Sequence, residues 1–290
     1  YYDRCLYAYR RGAPVSGRTI YDYQLAEFSD AGKYLETCYD FTGWFKENGS
    51  WYYVLEGFAC YGWGQIGGKW YYLDPDNCIM KTGWQKVDGK WYYLTGSGAM
   101  ATGWQKVNEK WYYLSGSGAM ATGWRQVHGK WYYLNSDGAM AIGWKKVGNK
   151  WYYLSPSGAM AIGWWKVNGN WYYFNTFGSW MHRGWICDNG KWYYSGNDGS
   201  LVKNGWVDTV YSGRLMTGNW TGPHYFRKDC SMAVGWEKIG ADWYYFKADG
   251  SVYNGWLSSG GKWYYLKDGV MQVNTTIDGY QIGSDGVWIR

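Results

Sequence analysis

From Gly83 the chain alternates short β-favouring runs with turn-forming residues on a fixed beat. Gly83–Val87 reads Gly-Trp-Gln-Lys-Val, Asp88-Gly89 follows, and Lys90–Leu94 reads Lys-Trp-Tyr-Tyr-Leu. Two such runs joined by Asp-Gly predict a β-hairpin with a two-residue loop, because both loop positions take φ > 0. That loop fixes the register: Val87 faces Lys90, Lys86 faces Trp91, Gln85 faces Tyr92 and Trp84 faces Tyr93. Side chains alternate between faces along a strand. One face then carries Trp84, Trp91 and Tyr93, with Lys86 at its edge. The other carries Val87, Tyr92 and Leu94, and Tyr92 and Leu94 are expected to serve packing alone. A Gly- and Ser-rich turn, Thr95–Met100, follows each hairpin. His128-Gly129 and Asn168-Gly169 suit the first turn, whereas Asn108-Glu109 suits it poorly and is expected to fold differently.

The pattern recurs along most of the chain. Its Gly-Trp pair places Trp at 44, 63, 84, 104, 124, 144, 164, 185, 206, 236 and 256. A second Trp follows seven residues later in every unit but that of Trp206, where His224-Tyr225-Phe226 is expected to replace Trp-Tyr-Tyr. A lone hairpin is marginal in water, so stability must come from stacking on neighbours. The expectation is all-β: an elongated β-solenoid of stacked two-stranded hairpins, one per repeat of about 20 residues. Residues 1–40 read as a degenerate N-terminal repeat region, with Tyr21-Asp22-Tyr23 standing for Trp-Tyr-Tyr. Residues 41–271 form the regular array, with an irregular unit at 206–235, and residues 272–290 a C-terminal capping half-repeat.

Composition changes what the core can be. The chain has 290 residues, 25 Trp, 33 Tyr and 44 Gly, and a mean hydropathy of −0.53. Aliphatic residues are scarce, so the interior must draw on aromatic rings, which bury much area while keeping a polar edge. The net charge of +6 is scattered, which disfavours a nucleic-acid partner. No apolar run reaches membrane-spanning length. Six cysteines without a CxxC pair suit disulfides in an oxidising compartment better than zinc, and an opening without a signal peptide reads as the interior of a longer secreted protein.

The pattern G-W-x5-[GNE]-x-W-Y-Y-[LF]-x3-G-x-M closely resembles the choline-binding, or cell-wall-binding, repeat family. Glucan-binding repeats of streptococcal glucosyltransferases and the repeats of clostridial toxins share much of it. The resemblance implies a left-handed hairpin solenoid with aromatic cages between consecutive repeats: two Trp from one, an aromatic from the next and often a Met. Carried onto this chain, one cage uses Trp84 and Trp91 with Tyr113, and Met100 nearby. Further cages use Trp104 and Trp111 with Tyr133, Trp124 and Trp131 with Tyr153, Trp144 and Trp151 with Tyr173, and Trp164 with Trp171. Met120, Met140 and Met160 hold the equivalent Met position. Such a cage suits a quaternary ammonium, which lacks N–H groups and is held by ring faces.

The implied function is attachment of a secreted protein to a Gram-positive surface through choline or choline-bearing teichoic acid. A glucan-binding module and a ligand-free adhesin stalk are the alternatives, since flat rings also stack on sugars. The Met position is read as Cys60, Leu201 and Val252 in three units, and as Trp180 in that of Trp164, displacing Met181. Cysteine spacing suggests disulfides Cys60–Cys78, Cys187–Cys230 and Cys5–Cys38. Neither His128, His182 nor His224 has a partner at metal-ligand spacing, and no metal or cofactor is expected. Acidic residues fall in turns, where Asp is favoured for local hydrogen bonding, and no catalytic motif is present.

Overall fold

The computed structural model describes residues 41–208 and 222–289, together with the backbone of short strands between 9 and 37. All its regular elements are strands. Hairpins recur as Gly62–Ile66 with Lys69–Leu73, Gly83–Val87 with Lys90–Leu94, Gly103–Val107 with Lys110–Leu114, and onward. The Trp84 hairpin pairs as its loop dictates, Val87 with Lys90 through Gly83 with Leu94. Asp88 and Gly89 have φ of 49° and 77°. Contrary to expectation, Asn108 and Glu109 adopt the same turn, at 47° and 64°. Glu109 tolerates the left-handed conformation while accepting a 2.6 Å bond from Lys106 Nζ, which holds its carboxyl below the usual range.

The chain separates into two compact units, 1–141 and 142–290. Within each, most hairpins remain separate two-stranded sheets, so one hairpin meets the next through side chains and loops rather than a continuous ladder. The loop after each hairpin folds back on its own second strand. Leu94 bridges Met100, Thr95 N–H donates to Ala99, and Ala101 N–H donates to Tyr93. The outer edge of that loop reaches the preceding hairpin, where Met100 N–H donates to the Trp70 carbonyl at 2.7 Å. The same bond joins Met80 to Trp51, Met120 to Trp91 and Met140 to Trp111 in the first unit, and Met181 to Trp151 and Leu201 to Trp171 in the second.

A size-matched contact seals each joint. Met80 lies so close beneath Gly98 that a Cβ there would sit 2.2 Å from Met80 Sδ, and Met100 meets Gly118 in the same way. Both glycines have φ near +80°, so steric space and backbone conformation both require Gly. Beneath them, Leu73, Leu94 and Leu114 are at most 1 % exposed, the packing role expected of Leu94.

Several loop positions depart from the sequence expectation. In the loop after the Trp44 hairpin, Ala59 bridges Val54 and Cys60 N–H donates to Tyr53. Ala59 thus holds the Met position, and Cys60 stands where regular units have Ala101. Cys78 holds the Gly position at φ 58°, and its Sγ lies 3.8 Å from the Ala59 carbonyl oxygen. The large-over-small pairing is inverted: Cys78 fills space that Met fills elsewhere. Cys230 repeats the substitution, packing with Leu201 and Ile186. Cys187, adjacent to Ile186 in its strand, points to the opposite face and is exposed, so alternation separates it from Cys230. Cys60, Cys78, Cys187 and Cys230 are free thiols, and burial raises the pKa of Cys60, Cys78 and Cys230. Cys5 and Cys38 lie outside the described residues.

In the unit of Trp164, Met181 rather than Trp180 holds the Met position, bridging Phe174. In the Trp206 hairpin, Gly205 pairs with Phe226, Trp206 with Tyr225 and Val207 with His224. His224-Tyr225-Phe226 therefore stands for Tyr-Tyr-Leu, and Pro223 takes the place of the second Trp. Near the N-terminus, Gly17–Tyr21 pairs with Gln24–Phe28. Tyr21 thus ends a first strand instead of opening a second, and Asp22 and Tyr23 lie outside the described residues.

Candidate functional site: aromatic boxes between hairpins

The two faces of each hairpin serve different neighbours. Trp84 and Trp91 project from one face with ring centroids 6.5 Å apart and planes at 88°, forming a corner. Tyr93 from the same hairpin backs Trp84 at 5.1 Å. The ring that the next hairpin brings to Trp84 is Tyr112, at 4.9 Å. Tyr112 projects from that hairpin's opposite face, as alternation requires. Equivalent contacts join Trp44 to Tyr71, Trp63 to Tyr92 and Trp104 to Tyr132 in the first unit. In the second they join Trp144 to Tyr172, Trp164 to Tyr193 and Trp236 to Tyr264.

The third ring is thus the first Tyr of each Tyr-Tyr pair. Tyr113 packs on Trp104 of its own hairpin, Tyr133 on Trp124, Tyr153 on Trp144 and Tyr173 on Trp164. The Met is also displaced by one unit from its expected place. Met100 belongs with Trp63, Trp70 and Tyr92, where the next loop adds Gly116 and Ser117 around a cavity of about 360 Å³. Trp44, Trp51, Tyr71 and Met80 form the equivalent box with Gly96 and Ser97. Met120, bonded to Trp91, completes the Trp84 box, and Met140, bonded to Trp111, that of Trp104. Met160 bridges Leu154 in its own loop. The boxes of Trp44 and Trp63 therefore each draw on three successive repeats. Tyr71, Tyr92, Tyr112, Tyr132, Tyr172 and Tyr193, read from sequence as packing residues or left unassigned, line or adjoin boxes. The signal was available: a hairpin between two neighbours must present one ring backwards, and alternation selects the first Tyr.

Tryptophan exposure separates core from site. Trp70, Trp91, Trp111 and Trp171 keep 41–43 % of their surface accessible. Indoles left open at these joints are unexplained by core packing. Lys46 Nζ, 5.4 Å from the Trp51 ring centroid, shows a cation settled on such a ring.

The boxes differ along the chain. Trp164, Trp171 and Tyr193 are joined by Leu201 and Asp229. Burial, then the Asp229 and Asp188 carboxylates, raises the Tyr193 phenol above its ordinary range. The box of Trp185 is shut: Trp192 is 8 % exposed, and His224, in the place of the first Tyr, packs 5.0 Å from Trp185. Both His224 nitrogens face backbone carbonyls, Gly222 at 2.9 Å and Asp249 at 3.2 Å, and burial lowers its pKa. In the second unit Trp256, Trp263, Tyr280 and Trp288 enclose about 300 Å³, with Trp288 in the Met position. Turn carboxylates bond locally, as at Asp198 to Ser200 and Asp249 to Ser251. No group of three or more His, Cys, Asp or Glu able to hold a metal occurs among the described residues.

This architecture defines a hairpin-repeat protein with an aromatic box at successive joints. A family model described as the choline-binding repeat matches residues 60–102, 81–122, 101–142, 121–165, 161–206 and 233–275, and a cell wall binding repeat model matches 42–56. The chain belongs to the choline-binding repeat family. Among solved structures, CbpJ of Streptococcus pneumoniae is 27 % identical, covering 94 % of this chain and 99 % of its own, with a TM-score of 0.48. CbpF in complex with ipratropium is 30 % identical, covering 86 % and 98 %, at 0.49. The modular autolysin LytC of S. pneumoniae, in complex with a synthetic peptidoglycan ligand, is 24 % identical, covering 82 % and 53 %, at 0.51, a likeness of fold. No curated protein matches the chain significantly.

Proposed function

We propose that the chain is a non-catalytic binding module that attaches a secreted protein to a Gram-positive cell wall by holding the choline of teichoic acid in its inter-hairpin aromatic boxes. The observation that carries this reading is the open, perpendicular Trp pair, as at Trp84 and Trp91, faced by a Tyr from the next hairpin. Ring faces attract a quaternary ammonium by about 0.5–2 kcal/mol each, depending on desolvation. One box binds weakly, in the millimolar range at about −4 kcal/mol. A wall polymer that repeats its choline engages several boxes at once, and effective concentration multiplies the affinity. The scattered positive charge complements the phosphate beside each choline.

The test is a tryptophan-fluorescence titration with choline chloride and tetramethylammonium chloride, beside sodium chloride and dextran. Saturable quenching by both ammonium ligands, absent with sodium chloride, is expected. A response to dextran alone would replace this reading with glycan binding, and silence to all would leave a scaffold.

A further inference from the structure

The boxes are chemically unequal at one wall. In those of Trp44 and Trp63 the loop from two repeats on contributes Ser97 and Ser117. In the box of Trp164 and Trp171 the same loop position is Asp229, and the cavity measures about 350 Å³. Asp229 Oδ1 accepts the Ser231 N–H at 3.0 Å and the Ser231 hydroxyl at 2.6 Å. Its Oδ2 lies 4.0 Å from Lys191 Nζ, a loose pair between two largely exposed side chains.

The surrounding charges leave Oδ2 available. Asp188 Oδ2 accepts Trp164 Nε1–H at 2.9 Å and Asn189 Nδ2–H at 3.2 Å, so the second carboxylate pins the indole. Arg227 is engaged by Glu237 at 2.6 Å and by the Met232 and Val234 carbonyls. Lys203 donates to Asn170 Oδ1 at 3.3 Å. Lys191, a flexible ammonium in solvent, is readily displaced from Asp229.

A quaternary ammonium touches such a carboxylate only through its methyl groups. An alkylammonium retaining one N–H donates it in a charge-assisted bond, while the rings hold its remaining methyls. We propose that the Trp164–Trp171 box selects protonated tertiary amines over quaternary ammonium ions, with Asp229 as the discriminating acceptor. The proposal rests on reading the boxes as ammonium sites.

The test uses the full chain labelled with 5-fluorotryptophan, with Trp70 and Trp171 resonances assigned by Trp→Phe variants. Choline and protonated N,N-dimethylethanolamine are titrated at neutral pH. The preference for the tertiary ammonium is expected to be roughly fivefold greater at Trp171 than at Trp70, in line with a charge-assisted bond weakened by solvent. Asp229→Asn, which keeps an acceptor for Ser231, and Asp229→Ser, the residue at this position in the Trp44 and Trp63 boxes, should both reduce the Trp171 preference to that of Trp70. Equal preferences at both tryptophans in the native chain, or a preference at Trp171 that survives both substitutions, would overturn the proposal. A chain in which no resonance answers either ligand would instead overturn the ammonium reading of all the boxes.

Discussion

The amide of Met100 donates to the carbonyl of Trp70 at 2.7 Å, although Met100 follows Trp91 in sequence and precedes Trp104. That bond assigns each loop to the hairpin before its own, and it sets which residues share a box. Met100→Ala should therefore weaken choline binding at Trp63 and Trp70 and spare the box of Trp84 and Trp91. Fluorotryptophan resonances of Trp70 and Trp91 report the two sites separately. Loss of the side chain should also cost about 2 kcal/mol in urea unfolding.

The contact between Met100 and Gly118 should behave as a coupled pair. Gly118→Ala places a Cβ 2.2 Å from Met100 Sδ at φ +80°, so overpacking should cost about 1–3 kcal/mol beyond about 1–2 kcal/mol for the left-handed backbone. In a Met100→Ala background only the backbone cost should remain. A double-mutant cycle by urea denaturation measures the difference. Ala59 beneath Cys78 already shows a small residue accommodating a side chain at the Gly position.

Glu109 occupies a turn position at φ 64° that Gly fills in the Trp84 hairpin. Glu109→Gly should raise the melting temperature. The lost bond to Lys106 lies at the surface, and pairs of that kind contribute too little to reverse the gain.

His224 should make stability depend on pH. Burial depresses its folded pKa, so below about pH 6.5 the unfolded chain binds the proton more readily. Stability is then free of this penalty above about pH 6.5 and declines as pH falls from there towards the folded pKa. His224→Tyr restores the regular residue and should flatten the pH dependence in that window, by up to one proton in the slope. Urea midpoints of both proteins at pH 5 and pH 7.5 check it.

Much of this was legible in the residues. Asp88-Gly89 dictated the hairpin register, because a two-residue loop leaves only one pairing, and Leu94 was placed in the core by alternation alone. The pairing of Trp84 with Trp91 on one face followed from the same rule. The choice of Tyr112 over Tyr113 required knowing that the next hairpin approaches with its opposite face. Asn108-Glu109 misled because turn propensity is local, whereas the flanking strands impose the turn on whichever residues lie between them. The reading of Cys60 as the Met position failed because counting from Trp51 ignored a loop one residue shorter.

The sequence by itself determined the period, the hairpins and the aromatic content of the joints, since each depends on interactions within a dozen residues. Tertiary structure decided the membership of each box, because Trp63, Tyr92, Met100 and Ser117 come from successive repeats and meet only through stacking. It also decided which indoles stay open: Trp171 and Trp192 occupy the same place in their hairpins, yet one is 41 % exposed and the other 8 %. Exposure belongs to the packing around a residue, and no local pattern encodes it.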